Sequence, residues 1–205
     1  MASLKDLHFS ELLERRTLII GDVGSGKTTL TARLLEEAIM NFRVAKITVI
    51  DMAPRSVQFK GISIGGLISD SLKKYSHLRL FTPNLKLHAP RIEGRTADDV
   101  LQMARTNAAI IDELLQRYMS DPTPILFVND ASIYLQAGNM NALLKAVLLA
   151  QTFVGNSYSG LTLEDDNQSG LSQRERIGLT ALKKIMDKVL TVSPACIIEQ
   201  DRRVK

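Results

Sequence analysis

The stretch Gly21-Asp22-Val23-Gly24-Ser25-Gly26-Lys27-Thr28 sets three glycines, a lysine and a hydroxyl at the spacing G-x-x-x-x-G-K-[ST]. That spacing suits one chemistry, the cradling of a polyphosphate. Glycines reach backbone conformations with positive φ, so successive N–H groups can turn inward on phosphate oxygens. Lys27 is placed to reach the β- and γ-phosphates, and the Thr28 hydroxyl to ligate Mg²⁺. A helix starting here adds free N–H groups and its positive dipole end, which brings in Thr29. Residues Gly21 to Thr29 are therefore the expected nucleotide-binding set. A dinucleotide turn would read G-x-G-x-x-G. The glycines here read G-x-x-G-x-G, with a lysine in the turn.

A second chemical group stands about a hundred residues on. Pro124-Ile-Leu-Phe-Val-Asn129-Asp130 is an apolar run ending in an acid. A carboxylate at the carboxyl end of a buried strand could hold the water shell of a metal near Thr28. With GDVGSGKT as Walker A and ILFVND as Walker B, the core of the chain resembles the P-loop NTPase superfamily. The resemblance implies a three-layer α/β/α fold with a mainly parallel central sheet. It also implies bound ATP and Mg²⁺, with Lys27 and Asp130 catalytic and Thr28 and Asp130 at the metal. One departure stands out: many ATPases of this superfamily carry a water-polarising Glu after the Walker B Asp, and here the residue is Ala131. Asp51, at the end of the strand after the P-loop helix, is the leading substitute catalytic group. Recombinase-like ATPases and several small-molecule kinases have an acid there, able to orient water or accept a hydroxyl proton. A helix or turn cap at a strand exit also accounts for Asp51. Glu199 is a weaker version of the same idea.

These groups need elements to position them. Thr17–Ile20 reads as a short strand into the loop, and Leu30, Leu34 and Ala38 give a helical period from Thr28 to about Met40. Val44–Ile50 reads as a second strand and Leu78–Phe81 as a third. Ser3 with Asp6 suggests a capped helix to about Arg16. Residues 61–66 suggest a mobile loop into a short helix. Thr96 with Asp99 caps the longest helical pattern, which Pro122 and Pro124 end. Asn141–Phe153 reads as helix, with a strand over its last six residues as the alternative, and Gly155–Gly170 as a polar loop. Ser172 with Glu175 caps a helix to about Asp187, followed by strands at Val189–Val192 and Ala195–Ile198. Strands apolar on both faces and alternating with helices predict a parallel sheet covered on both sides. Residues 1–205 are expected to form one domain.

The remaining polar residues divide between function and solvation. Arg91 and Arg95 lie in a Pro/Gly-bounded connection, where a lid or arginine finger could sit and where solvated arginines are also common. Arg79 and Lys86 make that region the most basic, without interleaved aromatic residues to stack bases. Gln151, Thr152, Asn156 and Tyr158 could supply a γ-phosphate sensor if they follow a strand; helix termination at Gly155 and Asn156 accounts for them otherwise. Glu164, Asp165 and Asp166 read as a solvated loop. The absence of [NT]-K-x-D removes any visible basis for guanine selection, which leaves ATP.

Composition limits the classes. The 205 residues are 45% apolar and 23% charged, with a net charge of +4. Such a charge permits a polyanionic partner without giving a strong basic patch. A single cysteine, Cys196, excludes an intrachain disulfide. No apolar run approaches 18 residues and the N-terminus lacks a signal-peptide core, so a cytoplasmic protein with no membrane partner is expected. The expected function is Mg²⁺-dependent hydrolysis of ATP driving a conformational change or assembly, with a homo-oligomer as a partner state. A P-loop kinase and a nucleotide-dependent, nucleic-acid-binding switch of low turnover are the alternatives.

Overall fold

The alternation of apolar residues on both faces of each strand sets the architecture. In the computed structural model, which describes residues 6–59, 61–68, 75, 77–193 and 196–201, fifteen elements follow in order. They are β1 (Arg16–Gly21), α1 (Lys27–Asn41), β2 (Ile47–Asp51), β3 (Val57–Phe59), β4 (Ile62–Ile64), β5 (Arg79–Phe81), α2 (Pro90–Glu93) and α3 (Ala97–Ser120). After them come β6 (Ile125–Asn129), α4 (Ala131–Leu135), α5 (Met140–Leu149), β7 (Thr152–Tyr158), α6 (Leu171–Lys184), β8 (Lys188–Val192) and β9 (Ile197–Asp201). Seven strands form one sheet in the order β5-β2-β6-β7-β1-β8-β9. Its neighbours are parallel except the β8–β9 pair, which is antiparallel.

Side chains divide between the two faces with a period of two. Leu18, Ile20, Leu126 and Val128 pack against α3, α4, α5 and α6 on one side. Ile19, Ile125 and Phe127 pack on the other against Leu30, Leu34, Leu35 and Ala38 of α1. Burying each such side chain stabilises the fold by about 1.5–3 kcal/mol, which makes the helical layers on both faces obligatory. The mainly parallel α/β/α expectation is met. Among the described residues no helix is long and apolar enough to cross a membrane.

Several local expectations change. The first helix is only a 3₁₀ turn over Phe9–Leu12, because Glu14 takes a positive φ of 56° and breaks the pattern; Ser3 lies outside the described residues. Phe9 and Leu12 are instead buried beneath α1, where the Phe9 N–H donates to Glu37. Val44–Lys46 is a second 3₁₀ turn, so β2 starts at Ile47. The expected loop at 61–66 contains β4, which pairs with β3 as an antiparallel hairpin. The short helix expected after it falls largely outside the described residues, as does Ala195 at the start of the last expected strand.

The largest revision concerns residues 150–158. The helix stops at Leu149, and Thr152–Tyr158 forms β7, buried throughout, in place of a loop from Gly155. Gly155, Asn156 and Ser157 are poor strand formers by type. Pairing with β1 along Phe153–Tyr158, and with β6 as far as Gly155, overrides that preference. Gly155 is also a packing requirement, since a Cβ there would lie 2.5 Å from the Phe153 ring.

At α6, the capping residue is Gly170, with a φ of 75°. The Ser172 N–H donates to Asp166, and Glu175 is engaged elsewhere instead of in a capping box. By contrast, the Thr96–Asp99 capping box at α3 forms as expected.

Candidate functional site

The glycine-rich loop runs from the end of β1 into the first turn of α1. Gly24 and Gly26 take φ values of 69° and 92°, a region that side chains with a Cβ rarely enter. Lys27 curls back, its Nζ donating to the Asp22 carbonyl at 2.6 Å. Burial holds the Lys27 pKa below its usual value, while the negative charges of Asp130 and Asp22 pull it the other way. Asp22 ties the loop to the segment beyond β7. Its carboxylate accepts from the N–H groups of Val23, Leu161 and Thr162 and from the Thr162 hydroxyl. Burial raises the Asp22 pKa, but those hydrogen bonds outweigh it and hold the carboxyl below its ordinary value.

A cavity of about 270 Å³ opens on this loop. Val23 through Thr29 line it, together with Asp130, Asn156, Tyr158, Arg91 and Gln136. Lys27, Thr28 and Asp130 therefore share one cavity, as their spacing along the chain suggested. Asp130 caps α4 in the left-handed region, with φ 56° and ψ 60°, which aspartate tolerates better than most residues. Its carboxylate accepts from the Ser132 hydroxyl. Burial raises the Asp130 pKa; the Ser132 hydrogen bond, Lys27 and Arg91 oppose that rise.

Behind the cavity, a buried amide relay crosses the carboxyl ends of three strands. Asn129 Nδ2 donates to Asp51 Oδ1 at 2.8 Å. Asn156 Nδ2 donates to Asn129 Oδ1 and to Thr31 Oγ1, each at 2.9 Å, and Asn156 Oδ1 accepts from the Asp130 N–H. The relay joins the ends of β2, β6 and β7 to α1. Asp51 sits in it fully buried, accepting from Asn129, and is not among the residues that line the cavity. Asn156 lines the cavity from within β7, whereas the sensor expectation placed it after a strand. Thr152 starts β7 and Gln151 precedes it, both away from the cavity, and Thr152 accepts from the Glu14 N–H.

The rest of the cavity wall was not legible locally. Arg91, on α2, donates to Glu175 of α6 at 2.8 Å, and its guanidinium lies 5.0 Å from the Tyr158 ring centroid. Gln136 donates to the same Glu175 oxygen at 2.9 Å. Burial raises the Glu175 pKa, and Arg91 opposes it. A buried glutamate four residues into α6, three after Ser172, reads from sequence as a cap; only the packing of α6 reveals its partner.

The other candidates lie apart. Arg95 is exposed. Arg79 pairs with Asp121 and Lys86 with Glu93, so neither is a free basic group. Glu199 pairs with Lys188 on the β8–β9 edge. Among the described residues no group of three His, Cys, Asp or Glu gathers as a metal cluster, and Asp165 and Asp166 serve turns of their own loop.

Comparison with known proteins gives one assignment. No curated protein matches the chain. Residues 6–130, from the turn before β1 through Asp130, match the family model described as "Helicase HerA, central domain". That span is more than half of the 205 residues and takes in the glycine-rich loop and β6, which runs into Asp130. The chain therefore belongs to the HerA central-domain family, a family of P-loop ATPase type.

Proposed function

We propose that this chain binds ATP with Mg²⁺ and hydrolyses it, using the cycle to drive a conformational change or assembly. The observation that carries the proposal is the position of β7. It lies between the strand that enters the phosphate loop and the strand that ends at Asp130, and it delivers Asn156 to the cavity. An extra strand there is the order of the additional-strand ATPases. In most P-loop kinases and GTPases those two strands are neighbours, which speaks against the kinase alternative. Residues 1–205 would act as one domain, consistent with a single large sheet that takes strands from both ends of the described chain.

The residues divide the work. Backbone N–H groups of Gly24 to Thr29 and the start of α1 would bind the phosphates, and Lys27 would exchange its Asp22 carbonyl for phosphate oxygen. That exchange places an anion beside a partly desolvated ammonium and favours its charged form. Asn156, whose two Nδ2 hydrogens go to Thr31 and Asn129 and whose Oδ1 accepts from the Asp130 N–H, would hold the Asp130 backbone at the edge of the cavity. Asp51 would act through Asn129 to hold that relay in place.

The Thr28 hydroxyl and the Asp130 carboxylate fit Mg²⁺. Both are hard oxygen donors on one cavity, and Mg²⁺ bound with a nucleotide takes few protein ligands and keeps water and phosphate for the rest. When bound, it would neutralise charge on the β- and γ-phosphates. ATP is favoured over GTP because no guanine-reading motif is present. A thermal-shift panel of ATP, GTP, CTP and UTP, each with and without Mg²⁺, tests the proposal. Stabilisation greatest for ATP with Mg²⁺ is expected, and no nucleotide-linked shift at all would end it.

For the work done, the helicase in the family's description favours action on nucleic acid. DNA should then stimulate hydrolysis at low salt and lose that effect as salt rises. Hydrolysis indifferent to DNA across the salt series would reject this.

A further inference from the structure

Arg91 occupies an unusual position for an arginine. Its side chain is only 6% exposed, yet it lines the same cavity as Lys27, Thr28, Asp130 and Asn156. Three independent contacts fix it. Nη2 donates to Glu175 at 2.8 Å, Nη1 approaches the Ser172 hydroxyl at 3.5 Å, and the plane lies over Tyr158. Its backbone is fixed as well. Pro90 opens α2, the Ala89 N–H donates to Glu93, and Asn107 of α3 bonds both backbone polar groups of His88. A solvated loop arginine needs none of these supports.

The fork is incompletely used. Among the described residues its five N–H donors meet two acceptors, Glu175 and Ser172, while the cavity beside it is lined by phosphate-binding backbone. Lys27, Asp130 and Arg91 all line that cavity. The support behind the arginine also sacrifices polar satisfaction. Gln136 gives its Nε2–H to Glu175, and among the described residues its buried Oε1 meets no hydrogen-bond donor. That arrangement costs stability, and Gln136 itself lines the cavity. Held this way, Glu175 aims the guanidinium.

We propose that Arg91 contacts the terminal phosphate of the bound triphosphate from within the same chain, with Glu175 and Gln136 as the residues that position it. Each chain then carries its own charge-neutralising arginine at the γ-phosphate. The inference rests on the ATPase proposal above and adds to it which side chain distinguishes triphosphate from diphosphate. A guanidinium is suited to that task because its planar fork matches two phosphate oxygens at once.

The test uses the full chain with Mg²⁺ and compares the β,γ-imido analogue of ATP with ADP. Two variants are measured: Arg91→Lys, and the double exchange Arg91→Gln with Glu175→Gln, which leaves no buried charge unpaired. Analogue affinity should fall tenfold or more in the double variant while ADP affinity changes less than about twofold, with kcat down by about 10²–10³. Arg91→Lys should fall between it and the wild type. Equal effects on the two ligands, or no effect on either, would reduce Arg91 to a structural ion pair and overturn the proposal. Mixing the double variant with Lys27→Ala chains should restore no hydrolysis; recovered activity would show that the arginine acts in trans, and would also overturn it. Failure of the underlying ATPase reading is seen separately, as a wild-type chain that binds neither ligand.

Discussion

The two sides of the cavity are built in opposite ways. The glycine-rich loop is local: nine consecutive residues, Gly21 to Thr29, supply the backbone, the lysine and the hydroxyl, and β1 and α1 hold them from either end. The facing group, Arg91, Gln136, Tyr158 and Glu175, comes from α2, the end of α4, β7 and α6, with 84 residues between the two ends of its ion pair. A local site keeps its geometry through backbone conformation, so its side chains can be exchanged with little effect on the fold. An assembled site keeps its geometry through side-chain pairing, so each member is also structural.

The comparison gives its sharpest contrast at one lysine and one glutamate. Lys27→Ala should reduce hydrolysis by at least a hundredfold while leaving the melting temperature unchanged or slightly raised, because a partly desolvated ammonium is removed. Hydrolysis at the wild-type rate in that variant would remove the loop from the mechanism. Glu175→Ala should act first on stability, by about 3–5 kcal/mol, because it leaves Arg91 buried and unpaired. Urea denaturation of the two variants side by side checks the contrast, and equal stabilities would refute it.

A smaller effect separates the fold from the site altogether. Tyr118, on α3, donates its hydroxyl to the Thr123 carbonyl, and burial pushes its pKa from 10.0 up to about 12. As pH rises past 10 the unfolded chain loses this proton first, so the native state binds more protons and stability falls until about pH 12. Tyr118→Phe should lose about 1 kcal/mol at neutral pH and then decline less steeply than the wild type between pH 10 and 12, by on the order of 1–2 kcal/mol. Parallel declines measured by pH-dependent melting would show that another group controls the alkaline limb.

Legibility follows the same division. The loop, its flanking strand and helix, the Thr96 cap and the strand into Asp130 could all be read because each depends on near neighbours in sequence. The strand β7 could not be read in full. Gly155, Asn156 and Ser157 have the composition of a turn, and they become strand because all three pair with β1 and Gly155 pairs with β6 as well. The same placement decided what Asn156 is, since a terminating asparagine and a buried amide relay have identical sequences. Asp51 was found at the strand end where it was expected, but its buried bond to Asn129 could be seen only once β2 and β6 were neighbours.

The sequence by itself determined the glycine-rich loop between β1 and α1, because glycines free to take positive φ at fixed spacing specify a backbone shape within nine residues. It also determined that strands apolar on both faces must be covered by helices on both sides. The tertiary structure alone decided the strand order and the partners of Arg91, Gln136 and Glu175. Those depend on pairings between residues tens of positions apart, whose energies become available only when the sheet has closed around β7 and α6 has packed against it.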